Sequence, residues 1–352
     1  MNIGIVTPYD SANYGAYLQA YATKKYLEMQ GHQVKFIKWR TEEDRKKVFF
    51  KKSSNLMVRI KSLLRKKHNM ENYNKMTSAL SRFEMVDIQD IDKSNLDLVV
   101  LGSDEIWNIN VKNFQNKVFY GGNCGNIPIL AYAPSAGNAK PQDFSNFPEI
   151  CDLMNKVNII GVRDENTASI VHELCNYEPE IVCDPTFLLS IDDYEMQGKN
   201  MIKEPYILVY TYHIDPKFQE YLVKFAKEKH VKLVAACMYQ SWCDENVCCE
   251  PLEFLTLIKE AEYVFTSTFH GSIFTLFQHK KCVIDAKSKK LIDLVNWTGM
   301  ESAVVKNDDS YEEFCKKIQN SHDYNTFEMN LNNKRTKSRN LYKQSLDKVI
   351  GE

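Results

Sequence analysis

Short apolar runs alternate with longer stretches of helical spacing along the whole chain, and the alternation restarts once near the middle. In the first half, residues 2–6, 33–37, 96–101, 127–132, 157–162 and 180–183 are predicted as strands with helices between them. Runs such as Leu98-Val99-Val100-Leu101 are apolar without alternation, which suits strands buried on both faces of a parallel sheet. The second half begins again at residues 206–210 and continues with 231–235, 263–266 and 282–285. Two α/β units with parallel, Rossmann-like sheets are therefore expected. A polar stretch from Ser190 to Lys203 follows the last strand of the first series, which sets domains at residues 1–189 and 190–329. A closing helical stretch, 330–352, has the length to pack on either unit or to cross back to the first. In such architectures the cleft between sheets is the expected ligand site, because strand C-termini and helix N-termini face it.

Composition narrows the function classes. A chain of 352 residues with 44% hydrophobic residues can build two cores, and a formal net charge of -1 gives no reason to expect nucleic-acid binding. Residues 1–7 enter a strand without a basic leader, and no apolar run approaches a membrane span, so a cytoplasmic protein is expected. The ten cysteines then read as reduced thiols. Cys237, Cys243, Cys248 and Cys249 cluster, but they lack paired C-x-x-C knuckles, and no metal is expected there. One local exception to the balanced charge lies at residues 38–67, which carry Arg45-Lys46-Lys47, Lys51-Lys52 and Arg65-Lys66-Lys67. Within it Leu56, Met57, Ile60, Leu63 and Leu64 recur at helical spacing. That pattern fits a surface helix packed on the sheet; it also fits peripheral contact with an anionic membrane surface through residues 53–67.

The segment Thr266-Ser267-Thr268-Phe269-His270-Gly271-Ser272 sits between the apolar run 263–265 and an apolar stretch from Ile273, and reads as strand, tight loop and helix start. A helix start leaves N–H groups unpaired and partly positive. Ser267, His270 and Ser272 add side-chain contacts, and Gly271 permits close approach. A phosphate or carboxylate would fit. Capping and turn chemistry alone account for the Ser, Thr and Gly residues but not for His270, and imidazole is the side chain best suited to proton transfer near neutral pH.

Four further loops follow predicted strands. Residues 8–19, PYDSANYGAYLQ, offer Asn13 and Tyr14 as a hydrogen-bonding lip with a ring face for a sugar, or a well-made turn; the G-x-G-x-x-G series of a dinucleotide site is absent. In Gly102-Ser103-Asp104-Glu105-Ile106-Trp107-Asn108, Ser103 or Asp104 can cap a turn, while Asp104 can orient or deprotonate a hydroxyl and Trp107 can stack under a sugar. Ser135, in Ala133-Pro134-Ser135-Ala136-Gly137, is small and polar at a third strand end. Arg163 ends a fourth, either tied to Asp164 or open as a fork for carboxylate or phosphate, and Asp184 reads as a turn residue.

Taken in order, NYGAYLQAYA, LGSDEIWN, APSAG, GVRDENTA, CDPTFLL and PLEFLTLIKEAEYVFTSTFHGSIFTLF resemble the blocks of the polysaccharide pyruvyl transferase family, over residues from about Asn2 to Asp285. The resemblance implies a GT-B-like fold of two Rossmann-like domains facing a central cleft. It also implies transfer of pyruvate from phosphoenolpyruvate, as co-substrate, to two hydroxyls of a glycan or lipid-linked oligosaccharide, with no metal or nucleotide cofactor. In that reaction His270 and Asp104 are the expected catalytic residues. Arg163, Ser267, Thr268, Gly271 and Ser272 would bind the donor, and Asn13, Tyr14, Ser103, Trp107 and Ser135 would face the acceptor. The pattern departs from the family at Thr268, where an Arg is expected two residues before the His; Arg163, Lys280 or Lys281 are candidates to replace its charge. A nucleotide-sugar glycosyltransferase or a noncatalytic glycan-binding protein would share the architecture.

Overall fold

The computed structural model describes residues 1–50 and 65–351. The first unit runs β1 (Asn2–Val6), α1 (Tyr14–Met29), β2 (Gln33–Lys38), α2 (Glu42–Phe49), α3 (Lys66–Leu80), β3 (Met85–Asp87), β4 (Leu98–Leu101), β5 (Ile129–Tyr132), α4 (Pro148–Met154), β6 (Asn158–Gly161) and α5 (Glu165–Cys175). Its six strands pair in parallel in the order β3-β2-β1-β4-β5-β6. The second unit runs β7 (Tyr206–Tyr210), α6 (Pro216–Lys229), β8 (Lys232–Ala236), β9 (Glu245–Val247), α7 (Pro251–Glu260), β10 (Tyr263–Thr266), α8 (Phe269–Phe277), β11 (Cys282–Ile284), α9 (Lys289–Thr298) and α10 (Tyr311–Gln319). Here five parallel strands take the order β11-β10-β7-β8-β9, and α11 (Tyr324–Gly351) closes the chain. In both sheets the order reverses beside the first strand of the series, the switch point at which doubly wound folds open a crevice.

Alternate side chains of each strand feed different cores. Ile3, Ile5, Leu98 and Val100 face one core, while Val6, Val99 and Leu101 face a second on the other side of the sheet. In the other unit Tyr206, Leu208, Tyr210 and Val264 join the core of Ile3 and Ile5, and Ile207, Val209 and Phe265 form a third beyond. One apolar core is thus continuous between the two sheets. Helix α1 lies within it and is buried without a break from Tyr14 to Thr23, so it lacks a polar face over that length. Helix α11 spans both units. Lys334 packs over Trp297 of α9, and Tyr342 stacks on Tyr132 of β5 with ring centres 4.5 Å apart.

The strand assignments change in two places. Residues 180–183 make no strand; a single bridge joins Val162 to Ile181 before Pro185 turns the chain. Strands β3 and β9 are additional to the expected ones; each is three residues long and partly exposed, too short for an alternation to register. The basic stretch 53–67 lies almost wholly outside the described residues. No helix among the described residues is long and apolar enough to cross a membrane.

Candidate functional site

The loops at the C-terminal ends of β4 and β6 bring Ser103, Asp104 and Arg163 together, and the bridge at Val162 carries the following segment, with Asp184, alongside them. Asp184 is the centre of the cluster. Its Oδ2 lies 3.2 Å from Arg163 Nη1, 3.4 Å from Ser103 Oγ and 3.6 Å from His270 Nε2, which arrives from the second unit at the start of α8. Its Oδ1 accepts hydrogen bonds from the Thr186 N–H and hydroxyl at 3.0 and 2.8 Å. Asp104 Oδ1 stands 3.7 Å from the same Arg163 Nη1. A buried carboxylate therefore links a guanidinium of one unit to an imidazole of the other.

The electrostatics follow from burial set against pairing. Burial alone would push the Asp184 carboxyl up, but His270, Arg163 and the Thr186 N–H outweigh it and hold it well below the usual carboxylate range. Burial opposes the Arg163 charge too, and Asp104 and Asp184 overcome that, so the guanidinium stays ionised. Two of its nitrogens, Nε and Nη2, and His270 Nε2 are buried without a hydrogen-bond partner among the described residues. Unmet polar groups at such depth are costly unless a ligand satisfies them.

A cavity of about 440 Å³ opens beside Arg163 and Asp184, walled by Phe269, Trp297, Lys290 and Lys334. The Phe269 ring centre lies 5.1 Å from the Arg163 guanidinium carbon and 5.7 Å from Lys290 Nζ. A second cavity of about 290 Å³, lined by Glu105, Ser135, Asn138 and Asn166, adjoins it and shares Asp164, Lys290 and Asp293. Lys290 bridges to Glu105 at 2.6 Å across the cleft, and though burial raises the Glu105 carboxyl, that lysine leaves it below its ordinary value. His270 does not line the larger cavity; it lies beyond Asp184, against the start of α1. A Cβ on Gly15 would stand 2.6 Å from His270 Cβ and closer still to its ring, so this glycine makes room for the imidazole.

Several residues expected to meet a ligand are occupied within the protein. Trp107 is fully buried, donates its indole N–H to the Phe119 carbonyl at 2.9 Å and stacks on Tyr120, so it cannot offer a face to a sugar. Tyr14 is equally enclosed: its ring packs on Tyr210 and Phe254, and its hydroxyl accepts from the Cys249 N–H at 3.1 Å. Rather than forming a lip, it pins the two units together. Asn13 caps α1 by accepting from Ala16 N–H at 3.0 Å. Ser135, also buried, donates to Asp164 at 2.6 Å. At the other wall Thr268 Oγ1 accepts from Gly271 N–H at 3.0 Å, Ser272 Oγ donates to the Thr268 carbonyl, and Ser267 shares a 2.5 Å hydrogen bond with Thr211. Gly271 is required by packing, since a Cβ there would meet Tyr210 at 2.6 Å. The N–H groups of Gly271 and Ser272 are thus engaged, and only the first two of α8 remain for an anion. Lys280 and Lys281 lie at the far edge of the sheet, near Lys259 and Tyr263, and cannot replace the missing arginine. Of the residues that do meet in the cleft, Asp184 passed for a turn residue in the sequence, and Gly15, Glu105, Lys290 and Lys334 carried no local signal of function.

Solved structures similar to this fold include UDP-N-acetylglucosamine 2-epimerase, with TM-score 0.56, 11% identity and coverage of 100% of this chain and 96% of that one. An α-glucosyltransferase in complex with UDP gives 0.54 and 9%, covering 99% of each chain. The S. aureus MnaA–UDP structure gives 0.51 and 12%, covering 93% of this chain and 90% of that one. At these identities the likeness is one of fold, the two-domain GT-B-like architecture. No curated protein sequence matches the chain. The family model described as polysaccharide pyruvyl transferase matches residues 13–284, from the start of α1 to the end of β11, and so includes His270, Asp184, Arg163 and Asp104. The chain belongs to the polysaccharide pyruvyl transferase family, enzymes of the transferase class.

Proposed function

We propose that this enzyme transfers pyruvate from phosphoenolpyruvate to two hydroxyls of one sugar in a cell-surface polysaccharide or its lipid-linked precursor. The observation that carries this reading is the buried Arg163, its hydrogen-bonding capacity unmet beside a cavity of about 440 Å³ and joined through Asp184 to His270 on the far side of that carboxylate. The reaction needs a proton delivered to carbon and a compensated anion, and these residues supply both. The enol methylene takes a proton and becomes methyl, and the first hydroxyl oxygen bonds the adjacent carbon. The bond from that carbon to the phosphate oxygen then breaks, its electron pair leaving with phosphate, and the second hydroxyl oxygen closes the ketal. Of the two hydroxyl protons, one balances the proton gained by the methyl and the other ends on phosphate.

In this scheme His270 is the source of the proton, Asp184, 3.6 Å from its Nε2, fixes the ring, and Arg163 holds the donor's carboxylate or phosphate. Asp104 faces the acceptor hydroxyl, and the second cavity, with Glu105, Ser135, Asn138 and Asn166 in its lining, takes the sugar. The basic stretch 53–67 suits work at the inner face of a membrane on a lipid-linked acceptor, in the cytoplasm. Thr268 in place of an arginine favours one rival, a nucleotide-sugar glycosyltransferase. Incubation with phosphoenolpyruvate and a panel of soluble and lipid-linked glycans separates the two. The expected outcome is inorganic phosphate with one pyruvyl ketal added per phosphate; turnover of a nucleotide sugar with nucleotide release, and none with phosphoenolpyruvate, refutes the proposal.

A further inference from the structure

Arg163 and Lys290 leave one cation of the larger cavity unused. Lys334 is carried by α11, outside the matched family segment, and reaches the same cavity with its ammonium 4.7 Å from the centre of the Trp297 ring. The three cations differ in how they are held. Arg163 is bonded to Asp184 and Lys290 to Glu105, whereas no carboxylate lies within ion-pairing distance of Lys334 among the described residues. Its neighbours on α11 are tied to protein: Arg335 donates to the Phe187 carbonyl, Lys337 pairs with Glu180, and Arg339 donates to the Leu188 carbonyl. Of the cations on this helix, Lys334 is the one that lines the cavity.

Burial works against this ammonium and lowers its pKa from the ordinary lysine value, in spite of Cys183, Glu165 and Asp293 nearby. The Trp297 face holds the cation in place without neutralising it. Thr268, next to the cavity's Phe269 at the start of α8, supplies no charge, its hydroxyl being committed to the helix cap.

We infer that Lys334 is an anion-binding residue of the cleft, pairing with the phosphate or carboxylate of the donor and supplying the fixed charge that position 268 lacks. This rests on the reading of the larger cavity as the donor site. A charge delivered from α11 also makes the donor site depend on all three parts of the chain: the first unit through Arg163, the second through α8 and α9, and the closing helix.

The test uses the full chain with phosphoenolpyruvate and, separately, inorganic phosphate, measured by titration calorimetry, together with KM and kcat for transfer. Lys334→Met keeps an apolar stem on Trp297 and removes the charge. It is expected to weaken both ligands by about tenfold or more, raising KM for the donor more than it lowers kcat, with the melting temperature little changed. Lys334→Arg is expected to restore most of the affinity. Unchanged affinity in Lys334→Met, or a wild type that binds neither anion, overturns the inference. If the wild type binds both anions through Lys334 yet transfers no pyruvate, the reaction proposed above fails and the anion site stands. If transfer proceeds and Lys334→Met binds normally, the reaction stands and this role for Lys334 fails.

Discussion

The start of α8 and the loop after β6 meet in one cleft, and they differ in how much of their polarity is already engaged. At Thr268, Gly271 and Ser272 the polar groups close on one another, with the Thr268 hydroxyl on a backbone N–H and the Ser272 hydroxyl on a backbone carbonyl. Around Arg163 the reverse holds: two guanidinium nitrogens are buried and open, and the His270 Nε2 that approaches Asp184 is open as well. A motif rich in Ser, Thr and Gly is thus mainly the means of starting a helix at the right place, so that His270 faces Asp184. Capacity for a ligand resides in the residues whose partners are missing.

Mutations separate these two roles. His270→Ala is expected to cost about 10²- to 10⁴-fold in transfer rate with the fold intact, the range for loss of a general acid–base group; it is read by phosphate release and far-UV circular dichroism. Arg163→Ala should raise the donor KM and destabilise the protein by about 3–5 kcal/mol, because Asp184 would remain buried with one partner removed. Denaturant unfolding of the variant measures this. Gly15→Ala is more discriminating. In an isolated helix the change would favour folding by about 1 kcal/mol, yet here the added Cβ must displace the His270 ring, and a fall of about 10²-fold in kcat is expected from the shift. Thr268→Ala should cost about 1 kcal/mol of stability, as for loss of an N-cap, with donor KM changed less than in Arg163→Ala. A larger loss of donor affinity at Thr268 than at Arg163 would invert the comparison.

The pH dependence of stability sharpens it further. The folded-state pKa of Asp184 is depressed, so its contribution to stability is complete above the ordinary carboxylate value of about 3.9 and is lost only as pH falls below that toward the folded-state value. Between pH 5 and 9 the wild type should show no step from this group. In Arg163→Ala the depression is smaller, and acid unfolding should begin at higher pH.

The legible part of the fold was the apolar runs. Strands such as Tyr206–Tyr210 and Leu98–Leu101 are buried at every position and read as such from composition alone. The site was legible to the extent that chemistry accumulates at strand C-termini: His270, Arg163, Asp104 and Ser103 were all named from their loops, and they converge. Trp107 shows why loop position alone misleads. It follows a strand end as a sugar platform would, but the carbonyl of Phe119 and the ring of Tyr120 that enclose it come from a later turn that its own neighbours do not announce. Asp184 failed for the opposite reason. Its two bonds to Thr186 are local and make it a turn residue, while its contact with Arg163 exists only once the first unit has folded and that with His270 only once the second has joined it. Lys334 was hidden by distance, on a helix whose sequence gave no hint of the cavity it reaches.

The central claim is that His270 delivers a proton to the donor's methylene carbon as pyruvate moves to the glycan. Transfer carried out in heavy water tests it directly, with the product read by mass spectrometry. The account predicts one deuterium in each ketal methyl, one phosphate released per ketal, and loss of both products in His270→Ala. A ketal without deuterium, or a His270→Ala enzyme that forms it at the wild-type rate, would contradict the account.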